Sequence, residues 1–114
     1  MTTLYGIPNC DTVKKSRAWF DEHHRPYTFH DFKKQGVPEQ DLSAWIAALG
    51  WEALVNKKGT TWRKLDAATQ AGVTDASSAQ ALMLAHPSVI KRPVVALMGQ
   101  ATRITVGYVP QEWA

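Results

Sequence analysis

Tyr5-Gly6-Ile7-Pro8-Asn9-Cys10-Asp11-Thr12-Val13-Lys14-Lys15 holds the only cysteine of the chain and the change of local pattern that decides the fold. Before it, Thr2-Thr3-Leu4-Tyr5 is β-branched, aliphatic and aromatic, which predicts a strand. Gly6, Pro8 and Asn9 then interrupt the run as a loop does, and from Asp11 charged and apolar residues alternate at helical spacing. Cys10 therefore falls where a strand hands over to a helix. Unpaired backbone N–H groups and the positive end of the helix dipole favour an anion there, so a thiol at that place ionises more readily than a free one. Lys14 and Lys15 add positive charge one turn on. A small apolar residue packed under a loop is the plainer alternative for this cysteine.

Working outward, the helix over 11–24 ends at His23-His24-Arg25-Pro26, and Tyr27-Thr28-Phe29-His30-Asp31-Phe32 alternates as a second strand. A strand-helix-strand unit of this length predicts a right-handed crossover and parallel strands. Lys33 to Gly36 reads as a polar turn. Pro38 and Asp41 open a helix whose stripe is Leu42, Trp45, Ile46 and Leu49, and Gly50 stops it. Trp51 to Val55 extends a short helix, Asn56 to Gly59 is a basic loop, and Thr60 or Thr61 caps a turn holding Trp62 and Leu65. Lys57, Lys58, Arg63 and Lys64 are candidates to line an anion site, or simply solvated loop charges. Ala67 to Ala76 is expected to be a surface connection, and Ser77 with Gln80 a capping box for a helix ending at His86-Pro87.

Val94 to Met98 is a continuous apolar run, predicting a buried strand with 101–106 as its hairpin partner. Pro93 at its start removes one backbone donor and is a candidate cis proline. Pro110 to Trp113 suits a last helical turn. Together these elements predict an α/β fold: a four-stranded mixed sheet, thioredoxin-like, with a helical insertion. In that arrangement Arg92 can face the Cys10 loop across the sheet end and hold an anion, with a guanidinium suited to oxyanion geometry.

At 114 residues, 45% hydrophobic with five tryptophans, the chain is expected to form a single domain over 1–114. Thirteen Lys and Arg against ten Asp and Glu give +3, short of a nucleic-acid signature. No run approaches a membrane span and no signal peptide is visible, so a cytoplasmic location and no membrane partner are expected. One cysteine forms no internal disulfide. The four histidines lack ligand partners at metal-binding spacing, so no metal and no bound cofactor are expected.

Pro8-Asn9-Cys10 with Thr12 and Lys14-Lys15, then Leu54-Val55-Asn56-Lys57, then His86 through Val95, resemble the arsenate reductase (ArsC) family of the glutaredoxin-coupled type, which includes the Spx regulators and YffB-like proteins. The stretch Gly59 to Leu65 is most similar to the YffB-like branch. The resemblance implies a thioredoxin-like fold, with Cys10 matching the nucleophilic cysteine, Arg92 an oxyanion-binding arginine and Pro93 the proline that follows it; Asn9, Lys14, Asn56 and Lys57 are further candidates for substrate binding around them. Two departures stand out. Asn56 occupies the place of a second oxyanion-binding arginine, and a third is missing near Thr105 and Val106, with Arg103 an offset substitute. Each lost guanidinium contact would weaken arsenate capture by about 1.5–3 kcal/mol. The two-cysteine switch of the Spx regulators is also absent, because Val13 stands at its second position. The expectation is a monomeric glutathione-dependent thiol oxidoreductase with glutathione as co-substrate and glutaredoxin as a further partner. Its alternatives are an arsenate reductase or a regulator that binds RNA polymerase.

Overall fold

The computed structural model describes residues 2–99 and 102–114. They form two compact units: residues 2–36 with 92–99 and 102–114, and the helical insertion 37–91.

The first unit is built on strands β1 (Thr2–Gly6), β2 (Tyr27–Asp31), β3 (Val94–Leu97) and β4 (Arg103–Val106), ordered β2-β1-β3-β4. β1 and β2 are parallel, joined through helix α1 (Asp11–Glu22), while β3 runs antiparallel to both β1 and β4. The sheet is thus the mixed one expected. β3 is buried along Val94, Val95 and Ala96, as an unbroken apolar run requires. Val13 and Phe20 of α1 pack with Leu4, Val95 and Trp113, the last carried by helix α8 (Pro110–Trp113, numbered in chain order). The two buried polar groups near this core are satisfied: Ser16 Oγ donates to the Thr12 carbonyl (2.7 Å), and Trp113 Nε1 donates to Thr105 Oγ1 (2.9 Å).

Residues 32–35 are a helical turn, α2 (Phe32–Gln35), where the sequence suggested a plain turn. Asp31 is the reason. Its carboxylate accepts the Lys33 N–H (2.8 Å), and Gln35 Oε1 reaches back to the Asp31 N–H (3.0 Å), a reciprocal cap.

The second unit contains α3 (Glu39–Leu49), α4 (Trp51–Leu54), α5 (Thr60–Lys64), α6 (Ala67–Ala71) and α7 (Ala76–Ala85), then a 3-10 turn over Pro87–Val89. Its buried residues include Leu42, Trp45, Leu54, Met83, Val89 and Ile90. Gly50 stops α3 at φ 85°, a backbone angle that favours glycine. Two sequence expectations fail here for the same reason, an aspartate cap. Asp66 accepts the Thr69 N–H (2.7 Å) and starts α6 in a stretch expected to be a surface connection. Asp75, reciprocated by Ser78, is the capping box of α7, so the cap is not Ser77 with Gln80. Leu54-Val55-Asn56 and Val89-Ile90-Lys91 are tied by a Val55–Ile90 bridge and two backbone bonds, Asn56 N–H to Val89 carbonyl (2.8 Å) and Lys91 N–H to Leu54 carbonyl (2.7 Å).

No helix among the described residues is long and apolar enough to cross a membrane.

Gly6, where β1 ends, leaves no room for a side chain: a Cβ there would lie 2.8 Å from Val13 Cγ2. Gly6→Ala should destabilise the protein by about 1–3 kcal/mol through overpacking. Val13→Ala in the same chain removes the opposing methyl, so the double variant should lose less than the sum of the two single losses. Denaturant midpoints of the four proteins check this, and strict additivity would refute the steric account.

Candidate active site

β1 pairs with β3 antiparallel, Tyr5 opposite Val94. That register carries the residues after Gly6 alongside those before Val94, and so brings Arg92 to the loop that ends at Cys10. Within the loop Ile7 is buried, anchoring it, while Pro8 and Asn9 are exposed. Cys10 is the N-cap of α1 in extended conformation (φ −144°, ψ 124°), and its carbonyl accepts the Lys14 N–H (2.9 Å) to close the first turn. The peptide bond between Arg92 and Pro93 is cis. Pro93 is buried, and its carbonyl accepts the Gly107 N–H (2.8 Å), fixing the start of β3.

Opposing influences meet at the Cys10 sulfur. Partial burial is the largest and would raise its pKa. Against it act the Val13 N–H, the Arg92 guanidinium by hydrogen bond and by charge, and the Thr12 N–H; together they prevail, and the thiol lies below its ordinary range. The sulfur closes no cap of ordinary geometry. A large, diffuse thiolate nevertheless gains from N–H groups aimed at it over longer distances, and these are what the helix start supplies. Lys14 is exposed on α1 and is not among the acidifying groups. Lys15 instead lies over the Tyr108 ring, 4.3 Å from its centroid.

Of the residues singled out in the sequence, the sheet unit therefore brings Cys10 and Arg92 together, with Asn9 and Pro93 adjoining them in the chain. Asn56 and Lys57 belong to the helical unit, where they line a hollow with Lys58 and Lys91. Arg103 is no substitute for an oxyanion-binding arginine beside the thiol. It pairs with Leu97, at the sheet end where β1 begins, whereas Cys10 follows the end where β1 finishes. Its Nη2 donates to the Glu112 carbonyl (2.6 Å) and to the Glu112 carboxylate (3.2 Å). Thr12 and Val13 were not picked out as site residues, although any helix N-cap implies that the N–H groups two and three residues on are free to stabilise an anion.

A thioredoxin-like α/β sheet with one acidified thiol at a helix start and an arginine just ahead of the neighbouring strand defines a class, the single-cysteine proteins of that fold. Within it the family is shown by comparison. The model of the ArsC family matches residues 5–114, and the chain belongs to that family. The solved structure of the YFFB protein superposes with a TM-score of 0.91 at 48% identity, covering 99% of this chain and 96% of that one. An arsenate reductase (ArsC) related protein from Brucella melitensis is 45% identical with a TM-score of 0.74, over 98% of this chain and 90% of its own. An uncharacterized protein of Haemophilus influenzae is 39% identical over 89% of this chain and 88% of its own length. More distantly, the global transcriptional regulator Spx of Bacillus subtilis is 23% identical over 95% of this chain and 80% of its own.

Alkylation of Cys10 followed against pH should give a midpoint below the ordinary thiol value of about 8.5. Arg92→Leu should move that midpoint upward, and Arg92→Lys less so, since it keeps the charge and loses the planar donor fork. The linkage sign follows from the lowered folded-state pKa. The ionised thiol contributes stability that is fully present above the unfolded thiol's pKa and is lost as pH falls through the folded one. The stability difference between wild type and Cys10→Ser should therefore shift in favour of wild type as pH rises across that window. Identical alkylation midpoints in wild type and Arg92→Leu would remove the arginine from the account.

Proposed function

We propose that this protein is a glutathione-dependent thiol oxidoreductase acting through Cys10 alone. The observation that carries the reading is the Cys10 thiol held below its ordinary pKa beside Arg92, on a partly exposed rim of the sheet. A thiolate is the attacking species in thiol–disulfide exchange. In the first step the Cys10 thiolate attacks the glutathione sulfur of a mixed disulfide between glutathione and a substrate thiol. The Cys10–glutathione bond forms, the substrate–glutathione bond breaks, and the substrate leaves as its thiolate. In the second, a glutathione thiolate attacks the sulfur of the bound glutathione, releasing glutathione disulfide and restoring the Cys10 thiolate. Overall one glutathione thiol is consumed per turnover: the substrate sulfur leaves the disulfide state, the incoming glutathione sulfur enters it in glutathione disulfide, and the proton of that glutathione passes to the substrate thiolate. Arg92 stabilises the Cys10 anion before attack and again as it leaves in the second step, and Asn9 on the exposed side of the loop contacts the incoming glutathione. Glutaredoxin is an alternative source of the second thiol.

A second reading, arsenate reduction, is favoured by the kinship with the Brucella melitensis arsenate reductase related protein and by the guanidinium beside the thiol. Asn56 and the displaced Arg103 weigh against it, because both leave out cationic groups that a concentrated oxyanion charge needs. Arsenite production with glutathione and glutaredoxin measures it directly.

Mass spectrometry after incubation with glutathione disulfide should find one glutathione adduct, on the Cys10 peptide, removed by added glutathione and absent in Cys10→Ser. Reduction of a glutathionylated test thiol should fall to the uncatalysed rate in that variant. An adduct that forms no faster than on an unstructured cysteine peptide would defeat the proposal.

A further inference from the structure

The helical unit contains a hollow of about 320 Å³ whose rim holds Lys57, Lys58, Lys91, Asn56 and Glu52. Three ammonium groups face one carboxylate, and among the described residues no ion pair engages any of them. The charge is not scattered over a mobile loop. Asn56 and Lys91 end the two bridged segments, each tied through its own N–H, over the buried side chains of Leu54, Val55, Val89 and Ile90. Asn56 Oδ1 also accepts the Lys58 N–H (3.2 Å), holding the turn that carries the lysines. Lys57 lies over two aromatic faces, its Nζ 5.9 Å from the Trp51 centroid and 5.4 Å from that of Trp62, contacts that restrict its stem.

Like charges at one hollow repel, and leaving them uncompensated costs free energy that a bound anion returns. Lysines act as point charges and converge on a compact anion without the planar preference of arginine. We propose that this hollow is a binding site for a small dianion, a phosphate group or a pair of carboxylates, taken by Lys57, Lys58 and Lys91 with the Asn56 amide. Of the four basic residues the sequence grouped here, the hollow takes Lys57 and Lys58, adds Lys91, and leaves out Arg63 and Lys64. Glu52 limits the site to ligands of more than one negative charge. The proposal does not depend on the reaction assigned to Cys10.

The test is titration by calorimetry and by amide NMR shifts, using Cys10→Ser protein so that thiol chemistry plays no part. The probes are inorganic phosphate and, separately, succinate, a dicarboxylate that carries two negative charges at neutral pH. At least one should bind and shift the amides of residues 55–58 and 91. Lys57→Gln, Lys58→Gln and Lys91→Gln should each weaken binding about three-fold, and the triple variant about thirty-fold. Glu52→Gln should tighten it, and raising salt should weaken it. Lys33→Gln with Lys34→Gln, in the sheet unit, should change nothing. Phosphate binding alone identifies a phosphoryl ligand, and succinate binding alone a dicarboxylate one. The inference is overturned if neither probe binds, or if the triple variant, with unchanged circular dichroism, binds as wild type does.

Discussion

Everything in the proposed chemistry depends on the pairing of β1 with β3. Cys10 and Arg92 lie at opposite ends of the sequence, and only the antiparallel register that sets Tyr5 against Val94 brings their flanking loops to the same end of the sheet. The register is itself enforced by burial. A slip of one residue would turn Leu4 and Val95, both inaccessible to solvent, toward the other face of the sheet. Gly6 adds a steric condition, because α1 approaches the end of β1 so closely that Val13 fills the space a side chain would need. The closeness that forbids a Cβ at Gly6 also sets the first turn of α1 against the strand. The N–H groups of Thr12 and Val13 reach the sulfur through the N-cap position of Cys10, so Val13 serves the packing at Gly6 with its side chain and the thiolate with its N–H.

Much of this was legible in the sequence because two periodicities change visibly within a few residues. The strand-loop-helix around Cys10, the parallel β2 and the buried β3 with its antiparallel partner all rest on long apolar patterns, which tertiary contacts reinforce. The Gln100-Ala101 part of the expected hairpin lies outside the described residues. What failed was short and polar. Asp31, Asp66 and Asp75 each nucleate a helix through one or two side-chain bonds, and the sequence-based reading placed a turn, a connection and a misassigned cap at those points. A single aspartate in a polar stretch carries little information by itself. The signal lies in the residue two or three positions later whose N–H it accepts, and that pairing is ambiguous among Ser, Thr and Asp neighbours.

The site divides along the same line. Cys10 and Arg92 each stand at a boundary, one opening a helix and the other preceding a strand, so topology alone brought them into one account. Arg103 shows the opposite case: it sits only a few positions from Val106, yet β4 carries it to the far sheet end and Glu112 engages it. Proximity in sequence is a poor guide within a strand, where each residue advances the chain by about 3.3 Å. Lys91 was overlooked as a companion of Lys57 and Lys58 because the bridge that gathers them joins short irregular segments, which leave no periodic trace.

The third position after Cys10 is the most telling part of the helix that the cysteine opens. Val13 occupies it, inaccessible to solvent and packed with Leu4, Phe20 and Val95, so its side chain serves the core while its N–H serves the thiolate. Those two duties are compatible for valine. A resolving thiol at that place would have to leave the apolar cluster to meet the Cys10 sulfur, and the core would lose the side chain that packs against Gly6. A disulfide formed at Cys10 consequently has no intramolecular exit, and its opening depends on a thiol from outside. The same guanidinium that makes Cys10 a good attacking group also makes it a good leaving group, since lower thiol pKa favours departure. One electrostatic arrangement therefore serves both halves of the proposed two-step exchange, and a chain with a single thiol needs both.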